Sequence, residues 1–206
     1  MNLGHLFVFE GPDGVGKTAL STGIVASLAL SGIDAMYASF PGREYPGTLG
    51  SLVYSLHHGQ VNTDPNALQV AHIAAHIDAI VGRIRPALGA GRVVILDRFW
   101  WSTLAYAEML GCQIPIVEAA LNAEFLAWGE VKPARIYLVE RTSATEGIRA
   151  TRQSLALQSA YSNIANREGH VVRRFQNNSP LQRSVDHIVA EILNILVLTK
   201  AGALES

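Results

Sequence analysis

One stretch near the start of the chain combines residue types that bind phosphate, at the spacing that such binding requires. It runs Gly11-Pro12-Asp13-Gly14-Val15-Gly16-Lys17-Thr18 and fits the pattern G-x-x-x-x-G-K-[ST]. The glycines let backbone N–H groups converge on phosphate oxygens, Lys17 reaches the β- and γ-phosphates, and the Thr18 hydroxyl ligates Mg²⁺. The stretch therefore predicts a P-loop that binds a nucleoside triphosphate together with Mg²⁺.

A second pair of chemically capable residues, Asp97 and Arg98, directly follows the most apolar β-branched run of the chain. A strand that ends in a carboxylate beside a fixed positive charge suits the edge of a nucleotide site. The acceptor of the phosphoryl group is still open at this point, since water would make the protein an NTPase or a switch and a small molecule would make it a kinase. The small size of the chain and the position of Arg98 favour a kinase.

Alternating strands and helices must position these residues. Apolar runs predict strands at 6–9, 35–40, 92–97, 134–139 and 171–175, and helical periodicity predicts helices at 17–30, 48–58, 65–84, 102–110, 116–128, 144–168 and 180–198, with a kink or restart near Pro86. This alternation predicts an α/β, three-layer P-loop NTPase fold in which helices flank a five-stranded, mostly parallel sheet. We find no repeat or linker, and so expect one domain over residues 1–206.

Composition narrows the function classes. Of 206 residues, 49% are hydrophobic and 16% are charged, which provides for a large core. The net charge of −1 argues against a nucleic-acid-binding role, and the single Cys112 excludes an internal disulfide framework. No apolar stretch has the length of a membrane span, and Met1 to His5 resembles neither a secretion signal nor a myristoylation site. We therefore expect a cytoplasmic protein with no membrane or nucleic-acid partner.

Taken together, the motifs resemble those of the thymidylate kinase family of nucleoside monophosphate kinases. Residues 9–18 are similar to that family's P-loop, Phe40-Pro41-Gly42-Arg43 followed by Gly47-Thr48-Leu49-Gly50 is similar to its second motif, and residues 97–106 resemble its D-R-[YF]-x-x-S-x-x-A-Y pattern. The resemblance covers most of residues 5–139. It implies transfer of the ATP γ-phosphoryl group to a (deoxy)nucleoside monophosphate, dTMP as the first choice, with Mg²⁺ and in a homodimer.

The resemblance also implies roles for individual side chains. Arg43 contacts the acceptor phosphate, Arg98 bridges phosphates at the reaction centre, and Asp97 acts on the Mg²⁺ side through water. Asp13 lies against the acceptor nucleotide, and Tyr106 lies under its sugar, where a ring crowds out a 2′-hydroxyl. Each has a plainer alternative: Arg43 is a surface-loop residue, Arg98 a structural ion-pair partner, and Tyr106 a packing residue.

The sequence departs from the family pattern at two histidines. The family's base-stacking aromatic falls at His72, and its base-contacting arginine falls at His76. Four residues apart, the two share a helix face. Imidazole can stack on a base and donate one hydrogen bond, but it lacks the forked donors of arginine. The alternatives are a different acceptor base, a zinc-binding pair, and two partly buried helix residues.

The second departure is a short lid around residues 141–160. Arg149 and Arg152 lie three apart, and they either face the triphosphate or belong to a solvated helix face. A reduced lid excludes water less well, so it predicts slow transfer or some ATP hydrolysis. The open alternatives to the leading function are a kinase of nucleosides or other small acceptors, and a nucleotide-binding regulatory protein with little or no transfer.

Overall fold

A five-stranded parallel sheet lies at the centre of the computed structural model, which describes residues 4–42, 45–58, 62–141 and 152–202. The strands are β1 (Leu6–Glu10), β2 (Ala35–Ser39), β3 (Val93–Asp97), β4 (Pro133–Glu140) and β5 (Val172–Gln176), in the spatial order β2-β3-β1-β4-β5. Every pairing is parallel. This confirms the predicted five-stranded parallel sheet.

The two central strands explain why their sequences are apolar throughout. All five residues of β1 and all five of β3 are buried, because helices cover both faces of the sheet. The register pairs Phe9 of β1 with Asp97 of β3, and Ser39 of β2 with the same Asp97. The carboxyl ends of these three strands therefore meet at one edge, which is where ligands bind in open α/β sheets.

The helices are α1 (Lys17–Leu30), α2 (Leu49–His58), α3 (Pro65–Ala79), α4 (Arg85–Gly89), α5 (Trp100–Leu110), α6 (Ile114–Trp128), α7 (Arg152–Glu168) and α8 (Leu181–Gly202). Helices α1 and α8 bury apolar residues against one face of the sheet, whereas α3 to α7 bury theirs against the other. The predicted three-layer α/β architecture is confirmed. In the described part of the chain, no helix combines the length and the apolar character needed to cross a membrane.

The helix predicted over 65–84 is interrupted near its end. It begins where the Asp64 side chain accepts hydrogen bonds from the backbone N–H groups of Asn66 and Ala67, with Pro65 in the first turn. After Ala79 the chain passes through a π-helical segment, Ile80–Ile84, before α4. Pro86 has no N–H, and its ring crowds the carbonyl four residues earlier, so the wider π turn accommodates it.

Candidate nucleotide-binding site

The loop between β1 and α1 has a backbone path that demands glycine. Gly11, Gly14 and Gly16 have φ angles of 139°, 80° and 94°. A Cβ on Gly11 would lie 2.3 Å from the carbonyl oxygen of Val139, and one on Gly16 would lie 2.6 Å from Nδ2 of Asn177. That Asn177 amide donates to the Val15 carbonyl at 2.8 Å. The predicted phosphate-binding glycines thus sit in a tightly supported turn.

Lys17 begins α1 and lies across this turn. Its side chain is buried, and Nζ donates to the carbonyl oxygen of Pro12 at 2.7 Å. Burial, reinforced by the nearby Arg98 guanidinium, lowers the pKa of Lys17 to about 8. Two cations therefore face the same region, and an anionic phosphate is the ligand that relieves their repulsion.

Thr18 and Asp97 are joined across the strand ends. The Thr18 hydroxyl donates to Oδ2 of Asp97 at 2.6 Å, and Asp97 is 4% exposed. Oδ1 of Asp97 is buried and has no hydrogen-bond partner among the residues that the structure describes. Mg²⁺ prefers oxygen ligands and is commonly held by one or two of them besides phosphates and water. The oxygens of this pair are of the kind that Mg²⁺ prefers, and the role of the two residues in holding the ion stays a prediction.

Arg98 occupies a strained backbone position. Its φ is 76°, which is unusual for a residue other than glycine, and its N–H donates to the Phe9 carbonyl at 2.9 Å. The guanidinium forms an ion pair with Asp13, whose second oxygen accepts from the Tyr106 hydroxyl. Although partial burial opposes it, the Arg98 charge together with the Tyr106 hydrogen bond lowers the pKa of Asp13. Asp13 thus stays ionised and aligns Arg98 beside the phosphate turn.

A buried carboxylate that the sequence reasoning did not single out, Glu10, organises the start of α5. One oxygen accepts from the backbone N–H groups of Phe99 (2.7 Å) and Ser102 (3.0 Å), and the other from the Gly11 N–H (3.2 Å) and the Ser102 hydroxyl (2.8 Å). Burial raises the pKa of Glu10, against the opposing pull of Arg98 and Ser102. The carboxylate acts as a helix cap supplied by another strand.

Ser102 extends this network to Arg98 and to α7. Its oxygen lies 3.1 Å from Nη1 of Arg98 and 2.9 Å from the Tyr161 hydroxyl. A hydroxyl has one proton and two lone pairs, so when Ser102 donates to Glu10 it accepts from both Arg98 and Tyr161. The network therefore fixes Arg98 from two sides, through Asp13 and through Ser102.

A cavity of about 370 Å³ opens from this cluster toward α3, a volume in the range of small-molecule sites. It is lined by seven of the predicted residues, which are Asp13, Thr18, His72, His76, Asp97, Arg98 and Tyr106. The sequence did not indicate the other lining residues as members of the site, and among them are Tyr37, Tyr54, Gln69 and Thr103. Gln69 is the most readily found from sequence, because it lies three residues before His72 on the same helix face.

The two histidines differ in their surroundings. His72 is half-buried, whereas His76 is 2% exposed and stacks on the Phe40 ring with centroids 4.0 Å apart. Nδ1 of His76 lies 2.8 Å from Oε2 of Glu124, a fully buried residue of α6. No group of three or more His, Cys, Asp or Glu side chains in the described ranges is arranged to share a metal ion. A zinc site built on the pair therefore finds no third ligand there.

Three arginines for which the sequence predicts phosphate contacts lie wholly or in part outside the described residues. Arg43 and Arg149 lie outside the described residues, as does most of the short lid before α7. The side chain of Arg152, at the first position of α7, is likewise outside them. The proposed contacts of these arginines with phosphate stay predictions.

The sheet order, the glycine turn at the end of β1 and the lysine at the start of α1 define a P-loop nucleotide-binding protein. The family model described as thymidylate kinase matches residues 9–179. The chain belongs to the thymidylate kinase family.

Individual relatives agree with this assignment. The chain is 36% identical over 104 residues to a thymidylate kinase of Geobacillus sp. (strain WCH70), an alignment that covers 50% of this chain and 49% of the relative. A Geobacillus thermodenitrificans (strain NG80-2) thymidylate kinase is 36% identical over 104 residues, covering 50% and 45%. A Psychrobacter sp. (strain PRwf-1) thymidylate kinase is 38% identical over 107 residues, covering 52% and 50%. The chain thus spans about half the length of the curated relatives it matches.

Proposed function

We propose that the protein transfers the γ-phosphoryl group of ATP to a (deoxy)nucleoside monophosphate, with dTMP as the first acceptor to consider and Mg²⁺ as the cofactor. The observation that carries the proposal is the ion pair of Arg98 with Asp13, beside Lys17 and at the mouth of a cavity that runs to α3. Membership of the thymidylate kinase family supports the choice of acceptor.

The donor triphosphate binds on the glycine turn. Backbone N–H groups of residues 13–18 converge on its phosphates, and Lys17 exchanges its contact with the Pro12 carbonyl for the β- and γ-phosphates. Thr18 would hold Mg²⁺ through its hydroxyl and Asp97 would hold it through water, and the ion would neutralise phosphate charge.

The transfer itself needs positioning more than proton abstraction. A phosphate oxygen of the acceptor forms a bond to the γ-phosphorus while the bond to the β–γ bridging oxygen breaks, which leaves ADP and a nucleoside diphosphate. Arg98 neutralises charge on the transferring group, and Asp13 keeps the guanidinium aligned. Tyr106 lies against the acceptor sugar, and Arg43 binds the acceptor phosphate.

The direct test incubates the protein with Mg-ATP and a panel of nucleosides and monophosphates, and identifies products by mass. The proposal expects a nucleoside diphosphate, with thymidine diphosphate the leading product, and expects Lys17→Ala to abolish it. A product formed from an unphosphorylated nucleoside would instead indicate a nucleoside kinase. Tight ATP binding with no transfer to any acceptor would indicate a regulatory protein.

We also propose that residues 1–206 form one kinase domain with a reduced lid, acting in the cytoplasm as a homodimer. Exposed apolar side chains on α6 support the dimer, among them Phe125 at 43% and Leu126 at 82% exposure. Light scattering should give twice the chain mass, and Leu126→Glu should shift it toward the monomer. An unchanged mass in that variant, or a monomeric wild type, would refute this surface as the dimer contact.

A further inference from the structure

The π-helical segment that follows α3 carries a cation to the turn between β2 and α2. In this segment, Ile80–Ile84, the Arg85 N–H donates to the Ile80 carbonyl, five residues earlier. A turn of this kind holds one residue more than an α-helical turn, so it changes the direction of the side chains within it, and such turns are frequent at functional sites. Ile80 and Ile84 are buried, whereas Arg83 is only half-buried. The segment thus presents a guanidinium rather than an apolar side chain at this surface.

Arg83 contacts the β2–α2 turn, described at residues 40–42 and 45–48, at two points. Its guanidinium carbon lies 3.7 Å from the centroid of the Tyr45 ring, well within the range of a cation–π interaction. Gly42 has a φ of 96°, and a Cβ there would lie 3.1 Å from Nη2 of Arg83. The guanidinium is therefore packed against both a ring and the backbone of the turn.

Tyr45 connects this contact to the sheet and to α2. Its hydroxyl donates to the Tyr37 carbonyl in β2 at 3.1 Å. Its own carbonyl accepts from the Thr48 N–H at 3.3 Å and from the Thr48 hydroxyl at 2.7 Å, directly before α2 begins at Leu49. Tyr45 is therefore the residue through which Arg83 can fix the path of the turn.

The turn borders the cavity. Phe40 and Pro41, at its start, line the cavity, and so does Tyr54 of α2. A Cβ on Gly50 would collide with the Pro41 carbonyl oxygen, so α2 and the turn pack without space between them. A shift of the turn would therefore move cavity-lining groups. In the sequence the turn also includes Arg43, for which the family resemblance predicts a contact with the acceptor phosphate.

We propose that Arg83 is a positioning residue for the acceptor: through Tyr45 it holds the β2–α2 turn in the path that binds the acceptor monophosphate, and it has no part in binding ATP. Without the guanidinium the ring loses its cation and the turn samples other paths, so part of the acceptor's binding energy goes into ordering the turn. This inference rests on the proposed function, because it assigns the cavity between Arg98 and α3 to the acceptor nucleotide.

The test compares Arg83→Gln with wild type in steady-state assays that vary dTMP and ATP separately. Loss of a cation–π interaction should raise the KM for dTMP about threefold to thirtyfold, while the KM for ATP stays within about twofold of wild type. Arg167→Gln is the matched control, because it removes the same charge at an exposed position of α7 and should leave both KM values unchanged. An unchanged KM for dTMP in Arg83→Gln, or an equal rise in both KM values, overturns the proposal.

A double-mutant cycle tests whether Arg83 acts through Tyr45. Tyr45→Leu removes the ring, and in that background Arg83→Gln should raise the KM for dTMP by less than about twofold. Fully independent effects of the two substitutions overturn this route. Arg83→Lys keeps a cation beside the ring and should recover most of the loss, whereas a KM as high as that of Arg83→Gln overturns the role of the cation.

Folding is checked by circular dichroism of each variant. If Arg83→Gln does not fold, Tyr45→Leu carries the same test, because removal of the ring should also raise the KM for dTMP and leave the KM for ATP unchanged; equal changes in both overturn the proposal. If wild-type protein phosphorylates no monophosphate, the proposed function fails together with the inference. If wild type is active and Arg83→Gln keeps the wild-type KM for dTMP, the inference alone fails.

Discussion

Replacement of Glu10 by glutamine should show whether the start of α5 requires a carboxylate as its cap or only a buried polar group. The carboxylate accepts four hydrogen bonds, from three backbone N–H groups and one hydroxyl. An amide has one acceptor oxygen, which serves the Phe99 and Ser102 N–H groups, while its NH₂ group faces the Gly11 N–H donor to donor. Glu10→Gln therefore loses the Gly11 bond outright, and it keeps the Ser102 hydroxyl bond only in reverse, with the amide donating to Ser102 and Ser102 donating to Tyr161.

The magnitude follows from the bonds lost. A hydrogen bond to a charged group is worth about 1.5–3 kcal/mol, which is the cost of leaving the Gly11 N–H without its acceptor. This cost is partly offset in the variant, because burial already disfavours the ionised form of Glu10 and raises its pKa. We expect a net loss of about 1–3 kcal/mol in the free energy of unfolding. Because Ser102 links Glu10 to Arg98, kcat should also fall about tenfold or more.

Urea unfolding followed by circular dichroism measures the stability change, with Glu108→Gln on α5 as the matched exposed control. The control should stay within about 0.5 kcal/mol of wild type. A Glu10→Gln variant that also stays within that margin, with an unchanged kcat, would refute the capping role derived for this carboxylate.

Three further predictions follow from the site. The pKa of Lys17 is lowered to about 8, and the charged form of this side chain binds phosphate. ATP affinity should therefore be constant below pH 8 and should weaken by up to tenfold per pH unit above it. In titrations across pH 7–10, Lys17→Arg should show no such slope. Gly11→Ala places a Cβ against a backbone oxygen and should abolish folding or nucleotide binding. Gly32 has a φ of 75° but open space around it, so Gly32→Ala should lower the free energy of unfolding by only about 1–2 kcal/mol in thermal unfolding. Asp13→Asn leaves one acceptor for two donors and should lower kcat about tenfold or more in steady-state assays. The pKa of Asp13 is held below its ordinary value of 3.8. The stability that its charge adds is therefore fully present above pH 3.8 and is lost as the pH falls below it. The urea unfolding midpoints of wild type and Asp13→Asn should converge in acid.

Local patterns in the sequence predicted most of the fold, for reasons that the structure makes plain. Residues 93–97 are buried on both faces as β3, so the apolar residues of this run are continuous, and the glycine turn follows β1 as a P-loop requires. The residue at which α3 ends was harder to predict from the sequence pattern. The apolar spacing continues past Ala79, and whether Pro86 causes a kink or a π segment depends on how the preceding turn widens.

The contacts that hold the site together depend on pairs distant in sequence. In the sequence, Glu10 is only the polar last residue of an apolar strand. Its capping role depends on the pairing of β3 with β1, which places the start of α5 next to the Glu10 carboxylate. In the same way, His76 was identified from its place in α3, but its partner Glu124 is 48 residues away on α6. Periodicity identifies faces of helices, whereas such pairings require the packing of one helix against another.

Transfer of radiolabel from [γ-³²P]ATP to dTMP, in a single turnover with enzyme in excess and Mg²⁺ present, tests the central claim most directly. The account predicts label in thymidine diphosphate with wild-type protein, and at least a hundredfold slower transfer with Arg98→Ala, which removes the guanidinium that Asp13 and Ser102 hold in place. Label found only in inorganic phosphate, or equal rates for the two proteins, would contradict it.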